Sequence, residues 1–175
     1  MRHLTACALV LGALATLPAA GPLQAQSVAP MDPACAPLVG TYLSRKANPG
    51  DGDPGATLMS LTAGGQAFMD DAAQGGIAGY QPFTTARGAW VCEGVSDGQI
   101  AMRAVMVDFT HGTAQEPAQK IVRVATSARL DPTTGVLEGT TEVFFYPIQA
   151  DPLAHSTPFE GQAQYTFQGT KITAE

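Results

Sequence analysis

Residues Lys120 to Pro147 read KIVRVATSARLDPTTGVLEGTTEVFFYP. Two runs rich in β-branched and aromatic residues flank Asp131-Pro132-Thr133-Thr134-Gly135. Pro132 pre-sets φ for the turn, and Gly135 accepts the left-handed backbone that ends it. With Pro132 to Gly135 as the loop, Asp131 faces Val136, Arg129 faces Glu138, Val124 faces Val143 and Val122 faces Phe145. One face then carries Val122, Val124, Thr126, Ala128, Leu130, Leu137, Thr141, Val143 and Phe145. The other carries Arg123, Ser127, Arg129, Glu138, Thr140 and Glu142. A period of two with one apolar and one polar face is the pattern of an antiparallel hairpin lying on a core. Arg129 and Glu138 form a structural cross-strand pair on its wet face.

Six further segments have strand chemistry: Val39–Arg45, Thr57–Thr62, Gln66–Asp70, Gly88–Glu93, Gln99–Thr110 and Gly161–Ile172. Asp97-Gly98 accepts the positive backbone angles of a tight hairpin, and Ala63-Gly64-Gly65 makes a similar reversal. No stretch keeps the spacing of a long amphipathic helix, and only Asp70–Gln74 suggests a helical turn. Eight strands with sequential pairing predict an all-β fold, an eight-stranded antiparallel up-and-down barrel whose closure removes exposed edges.

The same counting yields candidate interior residues. Around Asp97-Gly98, Trp90 falls opposite Val105 and Cys92 opposite Arg103, which turns Val105, Val107, Phe109 and Arg103 inward. In the second hairpin Met59, Leu61, Phe68 and Asp70 share a face, and on the last strand Ala163, Tyr165 and Phe167 do so. Asp70, Trp90, Arg103 and Tyr165 are therefore the candidate ligand-binding residues: polar anchors in an otherwise apolar lumen. The alternative is that Asp70 and Arg103 pair with each other in a filled core. Ile100, Met102, Ala104 and Met106, with Phe144 and Tyr146, are expected on the outer wall. Such a patch calls for a homo-oligomer or for cover by the N-terminal arm. The long segment from Pro147 to Glu160 is expected to lie over the barrel mouth, with Leu153 and Phe159 as its apolar contacts.

Residues 1–25 have the order of a secretory signal peptide: Arg2 and His3, an apolar run from Leu4 to Leu17, then Leu23-Gln24-Ala25 before a cut after Ala25, with Ala20 as the alternative. The proline-rich residues 26–37 read as an extended arm, and residues 38–175 as one domain. The chain is thus expected in the periplasm or secreted. Nine Lys and Arg against fifteen Asp and Glu give a net charge of −6. That balance, with bases scattered, is unsuited to nucleic acid. With Cys7 inside the leader, Cys35 and Cys92 remain, and an oxidising compartment makes one disulfide the default, two buried thiols the alternative.

Catalytic and cofactor motifs do not emerge. His111 and His155 lack partners at metal-ligand spacing, and Asp51 and Asp53 lie in NPGDGDPG, which reads as a solvated turn without the bidentate Glu of a calcium loop. The glycines of this loop and of AAQGGIAGY do not lead from a strand into a helix, so they form no phosphate cradle. No serine sits in a nucleophile elbow.

Leu38-Val39-Gly40-Thr41-Tyr42, Leu61 to Phe68 (LTAGGQAF) and Gly88-Ala89-Trp90 together resemble the front half of lipocalin-like (calycin) domains. There a Gly-x-aromatic opens the first strand, a hairpin of this type follows, and a Gly-x-Trp starts the next strand. Here Tyr42 replaces the usual Trp, and the Asp71–Arg87 connection is long. The resemblance implies a barrel that binds a small, mostly apolar ligand. A weaker resemblance to allene-oxide-cyclase and dirigent-like barrels implies an isomerase or cyclase. A surface-interaction module with a filled core is the third expectation.

Overall fold

The computed structural model describes residues 31–50, 52–77, 80–154 and 156–174. The expected signal peptide, the first residues of the expected arm, Asp51 and His155 lie outside the described residues. A 3₁₀ helix, Pro33–Leu38, leads into β1 (Gly40–Lys46), β2 (Ala56–Leu61), β3 (Gln66–Asp71), β4 (Ala86–Ser96), β5 (Gln99–Phe109), β6 (Lys120–Asp131), β7 (Val136–Pro147) and β8 (Gly161–Lys171). The strands pair in chain order, all antiparallel, and β8 returns to β1 to close the barrel. The β6–β7 register is the expected one: Asp131 opposite Val136, Arg129 opposite Glu138, Val122 opposite Phe145.

Two other registers differ from expectation, each for a local reason. In β4–β5 the pairing runs Ser96–Gln99, Val95–Ile100 and Gly94–Ala101, then jumps to Cys92–Met102. Glu93 is the extra residue of a β-bulge, and Gly94 beside it takes φ 109°, which glycine tolerates without a Cβ penalty. Beyond the bulge Trp90 faces Ala104 rather than Val105. A one-residue slip exchanges the two faces of a strand. Ile100, Met102, Ala104 and Met106, expected on the outer wall, are therefore buried in the core, while Val105, Phe109 and Arg103 face out. In β2–β3 the three-residue loop sets Leu61 opposite Ala67 and Met59 opposite Met69. Phe68 and Asp70 thus lie on the outer side, and Asp71 takes the lumenal position instead.

The barrel is plugged at the end where β1 begins. Residues expected to be extended here form the 3₁₀ turn, because Asp32 caps it by accepting the Ala34 N–H and Pro33 fits its first position. The turn buries Leu38, and the Tyr42 hydroxyl donates to the Leu38 carbonyl at 3.0 Å. Cys35 is disulfide-bonded to Cys92 of β4. Trp90 is buried near this end, its indole N–H donating to the Thr62 carbonyl at 2.9 Å.

At the other end the Pro147–Glu160 segment does not cover the mouth with its aromatic residue. Phe159 instead packs edge-on against Phe144 and Tyr146 on the outer wall, with centroids 5.3 and 6.4 Å apart, and the Arg123 guanidinium lies 4.4 Å from the Phe144 ring centroid. Phe144 and Tyr146, on the outer face as expected, are buried by this cover. The expected outer-wall patch of six residues is accordingly not exposed: Ile100, Met102, Ala104 and Met106 face the core, and Phe144 and Tyr146 lie under the chain's own segment.

The disulfide ties the plug across 57 residues of chain. With residues 1–25 removed, the unfolded, unreduced protein is expected to titrate no free thiol. Replacing Cys35 and Cys92 by Ser is expected to lower the unfolding free energy in urea by about 4 kcal/mol on the chain-entropy argument. Two thiols per chain would contradict the tether.

Candidate functional site

The mouth-side half of the lumen is a cavity of about 300 Å³. Its wall is formed by Met69 of β3, Ala86 of β4, Val122 and Val124 of β6, Val143 and Phe145 of β7, and Ala163 and Tyr165 of β8. Below it, Thr126 and Thr141 hydrogen-bond to each other at 3.0 Å, both fully buried, on adjacent strands. The rim comes from Asn48 to Gly50, from Ile77, Tyr80, Gln81 and Phe83, and from Glu116.

The long β3–β4 connection shapes that rim and is stapled in place. Gln81 is buried and its amide donates to the Glu116 and Ala118 carbonyls at 2.7 and 2.8 Å. The His111 N–H donates to the Pro82 carbonyl at 2.7 Å, and Phe83 bridges to Thr110. A hydrogen-bonded turn, where a helical turn was expected, opens this segment: the Asp71 carboxylate accepts the Ala73 N–H, and its carbonyl accepts that of Gln74.

Charge is concentrated on one side of the cavity. The Lys46 ammonium, at the end of β1, donates to Asp53 and lies equally close to Asp71, 2.7 Å from an oxygen of each. All three side chains are largely shielded from solvent, at 8, 10 and 11% exposure. Asp53 also accepts the Gly55 N–H at 2.7 Å, so the loop expected to be a solvated turn is folded inward over the ammonium. Desolvation pulls against the charged form of Lys46, but the hydrogen bonds to Asp53 and Asp71 outweigh it and raise its pKa. Desolvation likewise works against ionised Asp53, and the Lys46 and Gly55 contacts more than offset this, holding its carboxyl below the usual range. The Tyr165 ring centroid lies 4.9 Å from the Lys46 ammonium, its hydroxyl is 3.6 Å from the Met69 sulfur, and burial pushes its pKa up to about 12.

Asp108, on β5, is the odd member. It is 4% exposed, and its Oδ1 has no hydrogen-bond partner among the described residues. Burial, with repulsion from Asp71 as the second cause, raises its pKa to about 7. Such a carboxyl titrates where general acids and ligand anchors are useful.

The structure brings together one of the four candidate binding residues with residues not singled out from the sequence. Tyr165 lines the cavity. Trp90 is inward but belongs to the packed end. Arg103 is exposed and lies 3.3 Å from Glu93, and Asp70 is exposed, hydrogen-bonded to Thr85 at 2.5 Å. Those two therefore neither meet each other nor face the lumen. Lys46, Asp53, Asp71 and Asp108 were missed. For Asp108 a signal existed: it continues the alternation Ile100, Met102, Ala104, Met106, once that face is known to be the inner one.

Among the described residues no cluster of three or more His, Cys, Asp or Glu could hold a metal ion, and no helix is long and apolar enough to cross a membrane. Comparison with known proteins found no matching family model and no significantly similar curated protein or solved structure.

Two substitutions test these electrostatics in urea unfolding. Lys46→Met leaves two buried carboxylates without their cation and is expected to cost about 3–5 kcal/mol at pH 7. Asp108→Asn should have the opposite sign. With a folded pKa above the unfolded one, Asp108 favours the folded state most at low pH, and that contribution disappears as pH rises through about 7. The Asn variant should therefore be more stable than wild type at pH 8, with the advantage gone at pH 4.

Proposed function

We propose that this chain is an exported, lipocalin-like barrel that holds a small, mostly apolar ligand in the mouth-side half of its lumen. The observation that carries this reading is the cavity of about 300 Å³, apolar over Val122, Val124, Val143 and Phe145 and polar on the Lys46 side. A mainly apolar concavity with a few convergent polar groups is the usual form of a small-molecule site, and this one is at the lower end of the common size range. The eight-stranded meander and the Gly-x-aromatic opening at Gly40 support the lipocalin-like part. The Cys35–Cys92 disulfide supports export, since such bonds persist in oxidising compartments. An interaction module with a filled core fits less well, because the mouth-side lumen is not filled. The isomerase or cyclase reading draws on one observation, a buried carboxyl with a pKa of about 7 facing an apolar cavity.

The test uses the chain from Gln26 onward and the uncharged dye N-phenyl-1-naphthylamine. Its emission should rise and saturate at one dye per barrel. Val124→Trp, which fills the cavity, should abolish the rise. Trp90 lies at the packed end, so its emission monitors the fold rather than occupancy. Failure of the folded wild type to take up dye saturably would sink the binding reading.

A further inference from the structure

We propose that the lumen selects a cation, a compact apolar molecule bearing one protonated amine, and that the Asp108 carboxylate is the group that receives it. The inference rests on the lumenal binding reading and adds the chemistry of the ligand's polar end.

The argument begins with charge balance. Lys46 already has two carboxylates, Asp53 and Asp71, each at 2.7 Å. An anionic ligand would have to displace one of them from a buried ammonium, which leaves a carboxylate unpaired in a dry site. The triad as it stands carries one net negative charge, and ionised Asp108 adds a second. At the rim, Lys120 is matched by Glu116 at 2.6 Å, so that pair contributes no net charge. Tyr165 is held neutral by its raised pKa. Every element facing the cavity therefore leaves its potential negative.

The second step is hydrogen-bonding capacity. Among the described residues, Asp108 is the group in this cavity with an unused strong acceptor, Oδ1, and it is almost wholly buried. An unpaired buried carboxylate is costly, and an ammonium supplies both the missing donor and the opposite charge. An alcohol supplies a donor without the charge, and a carboxylate ligand supplies neither at neutral pH. The apolar wall of Val122, Val124, Val143 and Phe145 receives the rest of the molecule.

A pH dependence follows with a defined sign. An alkylammonium stays charged throughout pH 5–8, so the titrating partner is Asp108, which has a pKa of about 7 without ligand. Binding a cation favours its ionised form, so affinity should fall as pH drops below 7.

Calorimetry with three probes of one body shape tests this: 2-phenylethylamine, 2-phenylethanol and 3-phenylpropanoate. At pH 8 the amine should bind at least about tenfold more tightly than the alcohol, and the carboxylate weakest. Lowering the pH to 5.5 should weaken the amine about tenfold and leave the alcohol unchanged, a result that needs no variant. Asp108→Asn should erase the amine's advantage while the alcohol still binds. Equal affinity for amine and alcohol, tightest binding of the carboxylate, or an amine preference that survives Asp108→Asn and acid would overturn the proposal while leaving lumenal binding standing. If none of the three binds while the dye is still taken up, the cation proposal falls and lumenal binding stands; if the dye is not taken up either, both fall.

Discussion

The bulge at Glu93 is the constraint on which the interior depends. Trp90 and Cys92 must face inward, one to fill the plugged end and the other to reach Cys35. The tight turn at Asp97-Gly98, with φ 52° and 76°, fixes how β5 leaves β4. Without an extra residue these two demands would place Arg103 beside Cys92 inside the barrel. One unpaired residue between Cys92 and Gly94 resolves the conflict and turns Ile100, Met102, Ala104 and Met106 to the core. Asp108 follows on the same face, so the bulge that fills the lower core also delivers the carboxyl of the cavity, more than a dozen residues away.

Packing is graded along the barrel axis. At the plugged end large side chains from many strands, including Tyr42, Leu61, Trp90, Met102 and Leu137, share one cluster. At the mouth end Met69, Phe145 and Tyr165 share the inward positions with the smaller Ala86, Val122, Val124 and Ala163, and a cavity remains. A small eight-stranded barrel has room for filling side chains or for one small ligand; here side chains fill one half and a cavity remains in the other. The disulfide and the 3₁₀ plug stabilise one half, leaving the other free to be shaped by loops.

Electrostatics in the open half follow from that division. Lys46, Asp53 and Asp71 come from the end of β1, the β1–β2 loop and the end of β3, and they meet because Asp53 of that loop turns in over the Lys46 ammonium. Burial makes each of these charges dependent on the others. Asp108 lies outside the arrangement of matched pairs, and it is the feature that separates this lumen from a plain apolar pocket.

The barrel itself was determined by sequence-local physics. Period-two alternation, Asp97-Gly98 and Pro132 to Gly135 were enough for strand number, order and the complete β6–β7 register, because a tight turn fixes pairing for every residue that follows. The Cys35–Cys92 link was legible because two cysteines allow one pairing. What the tertiary structure decided were parities and folds of loops. Asp70 against Asp71 turned on one residue of loop length, and Arg103 against Met102 on a bulge that leaves no mark beyond a glycine at position 94. The Lys46 cluster joins residues from separate elements whose meeting depends on the closed barrel and on a loop folded inward. Phe159 found the outer wall rather than the mouth because Phe144 and Tyr146 offered an apolar surface there. Local pattern fixes how a strand alternates; only closure of the sheet determines which side of it becomes the inside.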